Sequence, residues 1–294
     1  MAIASTSTLV GKVEDVSDVI SMIDPAATPY VTSIGSEKVH NQTFGWQEDY
    51  LDAPGENAAV EGAAAGDANY TPTVMVENRT QIMKKVFGVT GSVDAAKLHG
   101  RKSEKARQQV NAGKSLKRDQ EKALLSGQAK AAQAGAVGAK TASLQALISA
   151  DMIDRPSTAA AFTEARLLAK FQACYTAGGT PSILSYAPKH ANTVNAFAIA
   201  GGRTRSLNDK TTTITNVVSV YESSFGTLKT VLNRLQLESD VIAYDPSLCK
   251  LAWYRPWATR ELAVTGDSDN YMTIGEFGLK NYNSKGHFVI GNNT

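Results

Sequence analysis

The sequence predicts an α+β chain in which an extended excursion and a long basic helix precede a mixed second half, and three observations carry that prediction. Between two alternating segments lies a stretch, residues 51–73, dominated by Ala, Gly and Asn and holding no Lys or Arg. After it the apolar spacing switches from two to three and four over residues 93–128. Beyond residue 142, short β-branched runs alternate with helical pattern and with Gly or Pro punctuation. With 294 residues, 43% hydrophobic and 20% charged, the chain can bury a sizeable core, and its length suggests about two domains.

At the start, Leu9, Val13, Val16, Ile20 and Ile23 fall three and four apart, an amphipathic helix stopped by Asp24-Pro25. Helical period is lost after Thr28-Pro29-Tyr30. Phe44, Trp46 and Tyr50 then sit at even spacing, an extended segment with one aromatic face. The stretch that follows carries Asp52, Glu56, Glu61 and Asp67 and has too few large apolar residues for a core of its own. Val74, Val76, Thr80, Ile82 and Val86 form one side of a second alternating run that reaches Val89 before Gly91. A two-stranded hairpin alone is marginal in water, so this excursion is expected to lie on another part of the protein or on another subunit.

Residues 93–128 read as a helix whose polar side is strongly basic, with Lys97, Arg101, Lys102, Lys105, Arg107, Lys114, Lys117, Arg118 and Lys122 outnumbering Asp94, Glu104, Asp119 and Glu121. Gly100 and Gly113 weaken it by about 1 kcal/mol each against Ala, and a break is expected near Gly100. Residues 129–142 read as an Ala/Gly linker. A helix over 163–177 places Leu167, Phe171 and Tyr175 on one face and ends at Gly178-Gly179. A strand over 183–186 follows, and Pro188 opens a short helix through Val194 and Phe197. Residues 211–221 and 227–232 are β runs around a turn at 223–226, with further strands near 241–244 and 251–254 separated by Asp245-Pro246. Strand character over 271–290 is expected to return to the helix-bearing part.

Composition and motifs exclude several functions. Thirty Lys plus Arg against 28 Asp plus Glu give a formal charge of +2, too balanced for a surface that traps polyanions everywhere. Cys174 and Cys249 show neither a disulfide framework nor a zinc pattern, and a reducing compartment is the simplest expectation. No secretory leader or membrane-length apolar window is present. Asn41-Gln42-Thr43 and Asn78-Arg79-Thr80 match a glycosylation sequon by chance. The run from Gly135 to Thr141 lacks the Gly-Lys pair and spacing of a phosphate loop. Asp267-Ser268-Asp269-Asn270 begins like a calcium loop, but Tyr271 takes the fifth ligand position. His40, His99, His190 and His287 are scattered, and no Gly-x-Ser-x-Gly elbow occurs, so neither metal, cofactor nor catalytic site is expected.

Gly100-Arg101-Lys102-Ser103-Glu104, Ala112-Gly113-Lys114-Ser115-Leu116-Lys117-Arg118-Asp119 and Glu121-Lys122-Ala123-Leu124-Leu125-Ser126 resemble the central helix region of tailed-bacteriophage major capsid proteins. Pro25 with Thr28-Pro29, Phe225-Gly226-Thr227-Leu228-Lys229, Asn233-Arg234, Asp245-Pro246, Tyr254-Arg255-Pro256 and Thr265-Gly266-Asp267-Ser268 resemble the same group in the same order. The resemblance implies the Hong Kong 97-type capsid fold, with an N-terminal arm over 1–39, an extended β-hairpin loop over 40–90 and a peripheral domain over 91–141 whose spine helix spans 91–128. An axial α/β domain over 142–245 and a return to the peripheral domain over 246–294 complete the mapping. It further implies a non-enzymatic subunit that assembles in a bacterial cytoplasm into hexamers and pentamers of an icosahedral head around double-stranded DNA. Implied partners are other copies, a portal, scaffolding or decoration proteins and, through weak non-specific contact, the packaged DNA; no membrane is involved. Because fold does not fix function, an encapsulin-like cargo shell is the alternative, ahead of a cytosolic enzyme or a DNA-binding protein.

Charge patterning adds one expectation. The acidic tip (Asp52, Glu56, Glu61, Asp67) should meet the basic helix (Arg101, Lys105, Lys114) of a neighbouring subunit, while Trp46 and the alternating Val and Ile side chains supply affinity. Exposed ion pairs are worth about 0 to 1 kcal/mol, so the charges would set register more than strength.

Overall fold

The computed structural model describes residues 27–62, 64, 66, 70–98, 100, 102–200 (198–200 as backbone), 220–264 and 266–293. The helix expected around 9–23, the acidic residue Asp67, the basic residue Arg101 and the first part of the β run over 211–221 lie outside the described residues.

Two sheets organise the chain. Helix α1 (Pro29–Ser33) and strand β1 (Gly35–Lys38) lead into a separate hairpin of β2 (Thr43–Glu48) and β3 (Val74–Arg79). Strand β4 (Gln81–Thr90) and the short helix α2 (Gly91–Ala95) precede the long helix α3 (Glu104–Leu125). A four-stranded sheet takes the order β1, β10 (Cys249–Glu261), β11 (Ser268–Asn281), β4, with β1 parallel to β10 and the other pairs antiparallel. A six-stranded sheet runs β5 (Ile153–Asp154), β12 (Phe288–Ile290), β9 (Val241–Tyr244), β6 (Ile183–Tyr186), β8 (Gly226–Leu232), β7 (Val220–Ser223), flanked by α4 (Glu164–Thr176) and α5 (Ala191–Ala200). Leu124, Leu125, Leu144, Leu167, Phe171, Leu184, Phe277 and Phe288 are buried in one continuous core under both sheets.

The excursion departs from its expected pattern. Its second alternating run is two strands: β3 pairs with β2, and β4 joins β11 in the other sheet. The switch occurs at Thr80, whose buried hydroxyl donates to Glu276 Oε1 at 2.7 Å. Asn78 and Thr80 are buried at this switch, whereas Ile82 and Val86 farther along β4 are exposed. Residues 81–90, mapped to the extended loop, pair with β11 in the four-stranded sheet, and Gly35–Lys38, mapped to the arm, pairs with β10. The basic helix is also interrupted. Gly100, with φ +73°, sits between α2 and α3, where left-handed backbone is cheap only for glycine. Ser103 restarts the helix by accepting the Ala106 N–H at 3.4 Å.

The Ala/Gly linker is a narrow hairpin bridged at Ala131–Lys140 and Ala134–Val137. In α4, capped by Thr163, the buried face is Leu167, Phe171 and Cys174, while Tyr175 is exposed and lies against Phe225 at the rim. The strand expected near 251–254 is the first part of the much longer β10, whose register shifts on either side of Arg255 as Pro256 withdraws a donor. The closing segment divides between sheets. Strand β11 returns to β4, but β12 pairs with β9 and β5, because its three buried residues complete the six-stranded sheet.

Candidate assembly surfaces

The root of the excursion is fixed from inside the chain. Glu48, buried at the end of β2, accepts Ser284 N–H at 2.9 Å, Ser284 Oγ at 2.7 Å and Tyr50 Oη at 2.8 Å. Asn78 donates to the Leu279 carbonyl at 2.7 Å and accepts the Ala142 N–H at 2.8 Å. Such buried polar groups are costly unless paired, so their pairing specifies one seating of the hairpin. Phe44 lies over Gly278, where a Cβ would come within 2.6 Å of the ring. Trp46, expected to reach another subunit, is instead buried with Phe44, Val39 and Ala252 of its own chain. Even spacing revealed an aromatic face but not what it would cover.

Past this root the large side chains of the loop find no cover among the described residues. Leu51, Val60 and Tyr70 are 97, 81 and 82% exposed. Glu56 and Glu61 are exposed, and neither takes part in a hydrogen bond or ion pair among the described residues. Asp52 accepts the Thr71 hydroxyl at 3.5 Å.

The four-stranded sheet has two unlike faces. Helix α3 covers one: Lys105 Nζ donates to Tyr271 Oη at 2.7 Å, Gln109 reaches Thr259 at 3.5 Å, and Asp119 lies 3.8 Å from Lys85. The hydrogen bond from Lys105 to Tyr271 pushes the Lys105 pKa up. Lys105 is thus engaged within its own chain, and Lys114 stands exposed on α3. Cross-strand partners share a face, so the pairs Lys84–Ile274, Val86–Met272, Ala258–Ile274 and Arg260–Met272 put six side chains on the opposite side. That side is open: Val86 is 57% exposed, and Met272 and Ile274 are only half-buried. Lys84 and Arg260 carry the charge among these apolar residues.

The hairpin does not cover this open face. Its first turns sit at Gly278, and Glu48 farther along is bonded to Ser284, so β2 and β3 run away from Met272. From Gly278 to Met272 is about 20 Å of strand at about 3.3 Å per residue. An exposed apolar loop and an exposed apolar sheet face therefore occupy opposite ends of one sheet. Sequence reasoning did not single out this open face, because its residues come from three strands far apart in the chain.

The match to the SU10 major capsid protein family model spans residues 3–294. The major capsid protein of Escherichia phage Phieco32 is 28% identical over 314 residues, covering 90% of this chain and 89% of that protein. Among solved structures, the cyanophage A-1(L) capsid subunit superposes with a TM-score of 0.72 at 14% identity, covering 99% of this chain and 98% of that one. The holo-SrpI encapsulin complex of Synechococcus elongatus gives 0.62 at 10% identity, covering 100% and 96%. At these identities the structures speak to fold alone, and the fold is one that phage capsids and an encapsulin share.

Proposed function

The chain belongs to the SU10 major capsid protein family and has the Hong Kong 97-type fold, and from that premise we propose how copies of this capsid subunit join into rings. The loop over residues 51–73 of one copy lies across the open face of the four-stranded sheet in the next. Leu51, Val60 and Tyr70 cover Val86, Met272 and Ile274, while Asp52, Glu56 and Glu61 approach Lys84 and Arg260. The observation that carries this reading is that both surfaces are exposed on one chain while the hairpin root sits at the other end of the sheet from Met272. A contact between different patches is heterologous and closes into rings when the rotation permits.

On this reading the rings are hexamers and pentamers that close into an icosahedral head around double-stranded DNA. The helix α3 serves as spine, and the six-stranded sheet as axial domain. A portal, scaffolding or decoration proteins and weak non-specific contact with packaged DNA are proposed partners on the resemblance alone. The family is structural, and no catalytic role is proposed. Likeness to an encapsulin supports a second reading as a cargo shell, which nucleic-acid content of the particles separates from a phage head.

Disulfide trapping tests the contact. Both native cysteines are buried, so a Tyr70→Cys, Val86→Cys double variant should give, on mild oxidation of particles, a covalent ladder ending at pentamers and hexamers. Particles that form normally yet yield only monomer under oxidation would overturn the docking.

A further inference from the structure

The N-terminal end of α1 is capped by a different helix. Thr28 occupies the N-cap position but makes no side-chain cap bond. Instead Tyr30 N–H donates to Glu121 Oε1 and Val31 N–H to Glu121 Oε2, both at 2.8 Å. The same Oε1 accepts Asn233 Nδ2 at 2.6 Å. Glu121 is fully buried, and no ion pair among the described residues includes it.

These contacts bring three parts of the molecule to one carboxyl group. Glu121 belongs to α3, which packs on the four-stranded sheet. Asn233 follows β8 in the six-stranded sheet and is held there by its own N–H on the Tyr186 carbonyl at 2.9 Å. The α1 segment is the root of the N-terminal arm. Tyr30 stands edge-on to Tyr244 with ring centroids 5.0 Å apart, and the Ser33 and Tyr244 hydroxyls are 3.0 Å apart. Tyr30, Tyr244 and Cys249 are the titratable groups around the carboxyl; burial raises the pKa of each, so none is charged near neutrality. A buried carboxyl without a cation is a poor source of net stability, but directional donors can fix one geometry.

We infer that Glu121 is a clamp: it fixes where the N-terminal segment leaves the body, and it couples docking of residues 27–34 to the seating of Asn233. The two N–H donors of α1 and the Asn233 amide share one acceptor group, so loss of one partner loosens the others. The segment acts as a strap whose two α1 amides meet the Asn233 amide on one carboxyl group, beside the packing of Tyr30 on Tyr244.

Hydrogen exchange on the full-length chain at constant pH tests the clamp, because it resolves local opening from global unfolding. Glu121→Gln should speed exchange of the Tyr30 and Val31 amides about tenfold, together with Leu235, whose N–H donates to Asn233 Oδ1 at 2.9 Å. Leu184 and Ala243, in the sheet interior, should keep their rates. Asn233→Ala, which touches neither α1 amide, should also speed Tyr30 and Val31; unchanged rates there would overturn the coupling. If Glu121→Gln does not fold, Asn233→Ala carries the test alone. Adding Thr28→Asp to Glu121→Gln supplies a local cap. It should slow Tyr30 and Val31 without slowing Leu235, whereas full recovery at all three would reduce Glu121 to a helix cap and overturn the clamp.

Discussion

A single methyl group at Gly278 should dislodge the excursion from its root. An ideal Cβ there lies 2.6 Å from Phe44 Cζ, 2.7 Å from Cε1 and 3.1 Å from the Arg79 carbonyl oxygen. Carbon atoms prefer about 3.5 to 4.0 Å, so roughly 1 Å must be found from a buried ring and a strand end. The ring has little freedom, being packed with Trp46 at 6.4 Å between centroids and lying under Lys280 Nζ at 5.7 Å. Overpacking of this kind costs about 1 to 3 kcal/mol. Since Phe44 and Arg79 both belong to the β2–β3 root, the displacement also re-aims the loop. Urea unfolding of the unassembled Gly278→Ala chain should show that loss, and particle yield should fall with it. Phe44→Leu removes the two clashing ring atoms, so the double variant should recover about half of the loss or more. Additive effects, with coupling below about 0.5 kcal/mol, would refute the steric reasoning.

Val86→Asp places a charge on the open sheet face; particle yield should collapse while the unfolding free energy of the unassembled chain, from urea titration, changes by no more than about 0.5 kcal/mol. Charge reversal at Glu56 and Glu61 should lower assembly rate at low salt and matter little at high salt, because exposed charges are screened beyond about 10 Å at 0.1 M; light-scattering time courses at two ionic strengths decide this. His287, fully buried, has its pKa pushed from 6.5 down to about 4 by burial. Its Nδ1 accepts the Asp245 N–H at 3.1 Å, and Nε2 lies 2.8 Å from Asn281 Oδ1. The unfolded chain takes up the proton first, so stability falls between pH 6.5 and about 4, by about 3 kcal/mol in all. His287→Gln should flatten that dependence in urea titrations across the window.

Local signals in the sequence were legible where neighbours along the chain decide structure. The strands at Ile183–Tyr186 and Val241–Tyr244 follow their β-branched and aromatic runs, α4 follows its apolar spacing, and the break at Gly100 follows from glycine. The loop's lack of large apolar residues likewise foretold a segment without a core. What stayed hidden depends on partners far away in the chain. Glu121 read as part of the polar side of the helix and no local signal singled out Glu48 or Asn78, yet donors from distant segments make their burial tolerable. Trp46 read as an interface anchor because periodicity cannot show that Ala252 and Val39 already cover it. The basic side of α3 read as a docking surface, while the bond of Lys105 to Tyr271 and the apolar face on the other side of the sheet depend on strands that one stretch of sequence does not show. A face shared by three strands has no signature in one stretch of sequence.

Electron microscopy of the purified chain, expressed alone and together with the genes flanking its own, tests the central claim most directly. Rings of five and six subunits or closed shells, with density from one subunit's loop crossing Val86 and Met272 of the next, are the predicted result. Uniform monomers in both preparations, or rings whose loops leave that face bare, would contradict it.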